Sequence, residues 1–408
     1  MTMRGTARDS IRALLFLVSL VLIAPAWADV SVQCPAAITD PVTGATNDPN
    51  VYCKHLSAGD GFITMGDGYL QYMFGFKDVT SIPVTQVMSE GMLAAEFAAP
   101  TLKFKEGTKV YLTLTNVGMT MRPDLFDPHT VHWHGFPFTA PVFDGEPMAS
   151  ISINMGSSLT YFYVAPDPGT YMYHCHVEAT EHMQMGMLGN LYVTPAQDGT
   201  SYEYPLGSGK SYSTFAYNDG DGSTGYDVDY PVQLLSFDPR FHDNHINVQP
   251  LPFANMKDTY PMINGRGYPD TINPAHLPPP VDPDGNSVNG DKISQPMSAL
   301  ITATQGQRIL LRISSLSTVE FFTVRVLGIP MLVVGKDAKQ LKGPSGTMYY
   351  TTNSLTLGGG ESYDVILDTA NVEPGTYFLY TTNLNHLSND NEDFGGMMTE
   401  IVINPPVL

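Results

Sequence analysis

Short runs of β-branched and aromatic residues recur along the chain, broken by Gly, Pro, Asn and Asp turns. Examples are Lys109 to Leu114 (KVYLTL), Leu159 to Val164 (LTYFYV), Arg308 to Ile313 (RILLRI) and Ser362 to Leu367 (SYDVIL). Such runs predict strands. No long segment keeps an apolar stripe at helical spacing. The pattern therefore predicts an all-β protein of sandwiches or barrels.

The runs also repeat in order. Pro168 to Tyr173 (PGTYMY) matches Pro374 to Leu379 (PGTYFL). Upstream, Ile153 to Tyr161 parallels Leu355 to Tyr363, and Glu106 to Leu112 parallels Gln305 to Leu311. Two homologous β domains are expected, spanning 29–200 and 229–408, a usual domain size. The acidic, Gly-rich segment 201–228 reads as a linker. Within it, Asn218 to Gly225 has an alternating Asp pattern that also suits Ca²⁺, although an acidic flexible linker is the stronger reading.

The first 28 residues stand apart. Arg4, Arg8 and Arg12 precede an apolar run from Ala13 to Ile23, and Ala26-Trp27-Ala28 is a small-x-small cleavage pattern. This is the signature of a secretory signal peptide, and the run is too short for a membrane span. Export to the periplasm or the extracellular space is expected. Charge supports a partner class by exclusion. With Lys+Arg 20 against Asp+Glu 40, the net charge of −20 disfavours nucleic acid and anionic membrane. Of the three cysteines, Cys34 and Cys53 suit a disulfide in an oxidising compartment, leaving Cys175 over.

Six of the 11 histidines fall in two stretches: His129, His132 and His134 before Gly135, and His174 and His176 around Cys175 with His182 following. Side chains alternate along a strand. His132 and His134 share a face, as do His174 and His176. His129 and Cys175 take the opposite side, and His182 and Met187 join from the following loop. Two imidazoles, a thiolate and a weak thioether are the blue-copper donor set. The four imidazoles opposite suit further copper, one peptide unit from Cys175 on either side.

These motifs resemble those of the multicopper oxidase (laccase-like) family: an H-x-x-H-x-H-G segment and an H-C-H segment followed by His, Gly and Met. The resemblance implies cupredoxin-like Greek-key domains. His129, Cys175 and His182 then serve as type 1 copper ligands with Met187 axial. His132 serves a type 2 copper, and His134, His174 and His176 a type 3 pair. Met185 is a lesser axial candidate, because the family's Met follows the Gly. Asp144 in Asp-Gly-Glu-Pro resembles a turn whose Asp assists proton delivery, and Asp270 sits in a stretch similar to the start of a family domain. The implied activity couples oxidation of a small-molecule or metal-ion donor to O₂ reduction.

The chain departs from the family in its second half. Aligning Gly135 with Gly328 sets His129, His132 and His134 against Phe322, Arg325 and Leu327. Aligning Pro168 with Pro374 sets His174, Cys175 and His176 against Tyr380, Thr381 and Thr382. The four histidines are half of what the family's trinuclear cluster uses. A second copy in a homo-oligomer supplies the rest, or His242 and His245 fold into place, or no cluster forms. A copper nitrite reductase-like enzyme and a non-enzymatic type 1 copper carrier are the competing readings. Most of the remaining methionines (Met119, Met121 and Met183) read as core filling, and His386 as a loop residue.

Overall fold

The structure is a computed structural model describing residues 34–137 and 139–406. The expected signal peptide and cleavage site, residues 1–28, lie outside the described residues.

Strands dominate, and they form two sandwiches with the same internal wiring. In the first, Val51–Thr64 runs parallel to Lys109–Gly118, which is antiparallel to Ser158–Val164. The other sheet orders Ala99–Lys105, Leu188–Thr194, Gly169–His174 and His132–His134. The second sandwich repeats this plan. Val228–Phe237 runs parallel to Arg308–Ser315, which is antiparallel to Ser362–Asp368. Its other sheet orders Ile301–Thr304, Met398–Asn404, Gly375–Thr381 and Phe322–Val326. The repeat extends to register: His132 lies opposite His174, and Arg325 lies opposite Tyr380. The second half thus keeps the backbone of the first at the positions where the expected ligand side chains are replaced.

The strand Arg308–Ser315 shows why some runs are apolar without alternation. Ile309, Leu311 and Ile313 enter the second sandwich's core. Leu310 points the other way, into a cluster with Tyr217, Tyr226 and Ile366. Both faces are covered, so both must be apolar or paired. Arg312, on that outer face, is fully buried. It meets Asp229 at 3.1 Å and Asp364 at 3.6 Å and packs over Tyr192, 4.4 Å from the ring centroid. Asp364 also accepts from Thr170 Oγ1 at 2.6 Å and from Tyr217 O–H at 2.5 Å. One carboxylate therefore joins strands of both sandwiches and the segment between them.

That segment carries its own hairpin, Tyr202–Glu203 with Ser211–Tyr212. Its acidic turn is closed from within. Asp219 accepts from the N–H groups of Asp221, Gly222 and Thr224 and from Thr224 Oγ1. Lys342 Nζ donates to Asp219 O and to Asp221 Oδ2, each at 2.7 Å. The oxygens a Ca²⁺ ion would need are committed, and an ammonium stands among them. Cys34 and Cys53 are disulfide-bonded, tying residue 34 to a central strand.

Candidate metal centre

Two groups of side chains converge at one end of the first sandwich, on opposite sides of the segment His174 to His176. Cys175 is the free cysteine and is fully buried. Its Sγ lies 3.1 Å from His182 Nδ1 and 3.9 Å from His129 Nδ1. His129 and His182 are each 0% exposed, and His129 Nε2 has no hydrogen-bond partner among the described residues. Met185 and Met187 are fully buried in the same core as Cys175. The Met187 carbonyl accepts the Cys175 N–H at 3.0 Å.

The electrostatics of this group suit a cation at its centre. Burial opposes ionisation of Cys175, but the charge and hydrogen bonds of His182 and His129 outweigh it and draw the thiol down to about 5. Burial likewise opposes protonation of His182. Yet Cys175 and Asp127, whose Oδ1 lies 3.2 Å from His182 Nε2, hold it well above its ordinary value. Both shifts favour thiolate and imidazolium in the metal-free pair, with positive charge where a soft cation would sit. The signs follow. Cys175 stabilises the fold above its ordinary value of 9, and this is lost as pH falls through about 5. His182 stabilises below its ordinary 6.5, and this is lost as pH rises through its elevated folded value. In metal-free protein the ultraviolet thiolate absorbance assigned by difference from Cys175→Ser should titrate with a midpoint near 5. A midpoint near 9 would show the sulfur to be an ordinary thiol.

On the other side, His132, His134 and His174 offer ring nitrogens within 4.8 Å of one another. The His176 ring lies 5.0 Å from that of His132 and 5.5 Å from that of His174. His174 Nδ1–H is directed at the Cys175 carbonyl at 2.8 Å, and His132 Nδ1–H at the Asp144 carbonyl at 2.7 Å. Fixing Nδ1 as the donor leaves Nε2 as the free lone pair. Burial pushes His174 down to about 3 and lowers His132 and His134, so these rings are neutral and ready to ligate. They line a cavity of about 320 Å³ whose far wall is Leu316, Ser317, Thr318, Gly359 and Gly360 from the second sandwich. That wall supplies hydroxyls and backbone but no imidazole.

Asp144 acts on His132 through its backbone, and its Oδ2 stands 3.7 Å from the same Nδ1. Gly145 makes this approach possible. Its φ is +77°, and a Cβ there would sit 2.2 Å from Val131 O. Gly145→Ala should therefore cost about 2–4 kcal/mol in chemical unfolding. Gly156→Ala, at the same φ but with nothing within 4 Å, should cost only about 1–2 kcal/mol. Equal costs would show that the turn does not press on the His132 strand.

The sequence expectations about His242 and His245 need correction. Both lie on the helix Pro239–Ile246, on the Cys175 side and away from the four imidazoles. His242 ring nitrogens face Tyr72 O and Gln184 O, and His245 Nε2 faces Glu181. Neither ring is among the residues lining the four-histidine cavity. Asp270 opens a turn whose carbonyl, with three others, receives the Arg266 guanidinium. His386 is buried, 3.7 Å from Glu320. Asp127 escaped sequence reasoning altogether, because nothing local in Asp-Pro-His marks a carboxylate aimed at a histidine 55 positions on.

Comparison with known proteins places this geometry in a family. Multicopper oxidase family models match residues 80–198 and 254–403. The chain belongs to the multicopper oxidase family, whose metal is copper. It is 24% identical over 373 residues to laccase-2 of Cryptococcus neoformans var. grubii, covering 86% of this chain and 52% of that protein. It is 23% identical over 318 residues to an L-ascorbate oxidase of Brassica rapa, covering 76% and 47%. The chain thus spans about half the length of the curated relatives it matches. Among solved structures it resembles the blue copper oxidase of Nitrosomonas europaea, with a TM-score of 0.58 and 23% identity over 86% of this chain and 85% of that one. The fold is the cupredoxin-like one expected, in two copies.

Proposed function

We propose that the protein is an exported copper oxidase that passes single electrons from a donor to O₂. His129, Cys175 and His182 hold a type 1 copper, with Met187 as the weak axial donor. His132, His134, His174 and His176 hold copper on the reverse side. Bound copper supplies one-electron redox chemistry at the sulfur site and O₂ activation at the imidazole site, in the overall balance O₂ + 4e⁻ + 4H⁺ → 2H₂O. The chain's part is to fix ligand tautomers, exclude water from Cys175 and keep the two sites one peptide unit apart. The carrying observation is that adjacency: His174 and His176, bonded to Cys175 on either side, line the cavity that also holds His132 and His134.

The far wall of that cavity brings no imidazole, so a complete cluster would require its remaining ligands from a second copy of the chain. Homologous domains 29–200 and 229–408, the second degenerate, with 201–228 between them, fit the repeated sheets. The basic and apolar start of residues 1–28 supports export to the periplasm or beyond. The donor is a small molecule or a metal ion, and Asp144, beside His132, is placed to move protons.

A second reading is favoured by the tight grouping of His132, His134 and His174. Three imidazoles suit a single type 2 copper, as nitrite reduction requires: NO₂⁻ + e⁻ + 2H⁺ → NO + H₂O. Donor-driven O₂ consumption at an oxygen electrode, set against anaerobic nitrite loss, separates the two. O₂ consumption without nitrite turnover supports the oxidase, and the reverse overturns it. A blue protein that turns over neither acceptor is an electron carrier.

A further inference from the structure

His242 and His245 are the two buried histidines on the Cys175 side that neither metal group uses. They sit three residues apart and so share one helix face. Their helix is firmly started: Asp238 accepts the N–H groups of Arg240 and Phe241, and Pro239 takes the first turn. His245 Nδ1 lies 3.2 Å from Arg122 Nη1, and its Nε2 lies 2.9 Å from Glu181 Oε1. A guanidinium only donates, so Nδ1 accepts and Nε2–H donates to Glu181. His242 has Tyr72 O at 2.6 Å and Gln184 O at 2.9 Å from its two ring nitrogens; burial pushes it down to about 4, so the neutral ring donates to one of these carbonyls and only packs against the other.

These partners bracket His182. Glu181 precedes it by one residue and Gln184 follows it by two. The Gln184 side chain is held as well, donating to Asp258 at 3.2 Å and accepting from Thr318 at 2.9 Å. Between the grips, Phe74 packs edge-on to both His245, at 4.8 Å, and His182, at 5.7 Å. The gripped helix, Ala179–Gln184, has six residues, no side-chain cap and a left-handed start at Glu178. So short a helix does not hold itself together. Its geometry is imposed from outside.

We propose that His242 and His245 are positioning residues that clamp the turn carrying His182, so that the half of the chain without ligands sets the geometry of the Cys175 centre. The link to that centre rests on reading His182 as a copper ligand, but the clamp itself does not. The test is hydrogen exchange by mass spectrometry on the full, copper-free chain, comparing peptides over 179–187 with a reference over 308–315. In His245→Leu, exchange at 179–187 should rise about tenfold or more, as loss of a bond to a carboxylate implies. The reference should not change. Copper-loaded His245→Leu should show a shifted blue band and altered type 1 hyperfine splitting. His245→Gln, whose amide still donates to Glu181, should return both readouts toward the parent. Unchanged exchange at 179–187 overturns the clamp, as does an equal rise in both regions. If His245→Leu does not fold, Glu181→Ala decides, because it breaks the same bond from the less buried side. Local acceleration there supports the proposal and parental exchange overturns it. A clamped protein that consumes no O₂ would sink the oxidase reading alone.

Discussion

If Cys175 is the type 1 ligand we propose, replacing it with serine should abolish the blue charge-transfer absorption of the copper-loaded protein and halt the proposed donor oxidation. The absorption belongs to a thiolate bound to Cu(II), and Cys175 is the free sulfhydryl at the site. A hydroxyl is too weak an acid to replace a thiol already drawn down to about 5. The loss in turnover should exceed the roughly 10- to 100-fold that removing a group supporting a ligand costs, because in the proposed site the sulfur is both ligand and the link toward His174 and His176. Copper at the four imidazoles should persist, since His174 keeps its bond to the residue 175 carbonyl. Visible spectroscopy with copper analysis and steady-state turnover checks all three. Retained blue colour would place the type 1 centre elsewhere.

The second large effect is on stability. Asp364→Ala should lower unfolding free energy by about 3–5 kcal/mol, the range for breaking a buried ion pair from one side. Asp364 is 1% exposed and receives Thr170, Tyr217 and, at longer range, Arg312. Its loss strands two hydroxyls and leaves Arg312 with Asp229 as its remaining carboxylate neighbour. Because Thr170 precedes His174 on one strand, both sandwiches should loosen together. Asp364→Asn, which keeps an acceptor, should cost less. Urea unfolding followed by fluorescence measures this, and a cost below about 1 kcal/mol would show the network to be incidental.

What the sequence revealed and what it concealed divide along one line. The alternation that puts His132 and His134 on one face and Cys175 opposite His174 and His176 is a property of a few consecutive residues. So is the repeat that aligns Arg325 with His132 and Tyr380 with His174, although their pairing across strands is seen only in the fold. Period-two geometry carries the first and short matched motifs the second. The fate of His242 and His245 was not legible, because a helix face announces that two rings share a side but not what they meet. Asp127 against His182, Thr318 and Gly360 walling the four imidazoles, and Lys342 inside the Asp219 turn are likewise contacts between distant segments. They are decided by how the sandwiches pack, and no spacing rule records that.

The most direct measurement is copper stoichiometry with EPR on the loaded protein, repeated on a His132→Ala, His174→Ala double variant. The account predicts about one type 1 copper per chain together with additional copper, and loss of the additional copper alone in the variant. A single copper per chain, unchanged when those two histidines are removed, would contradict it.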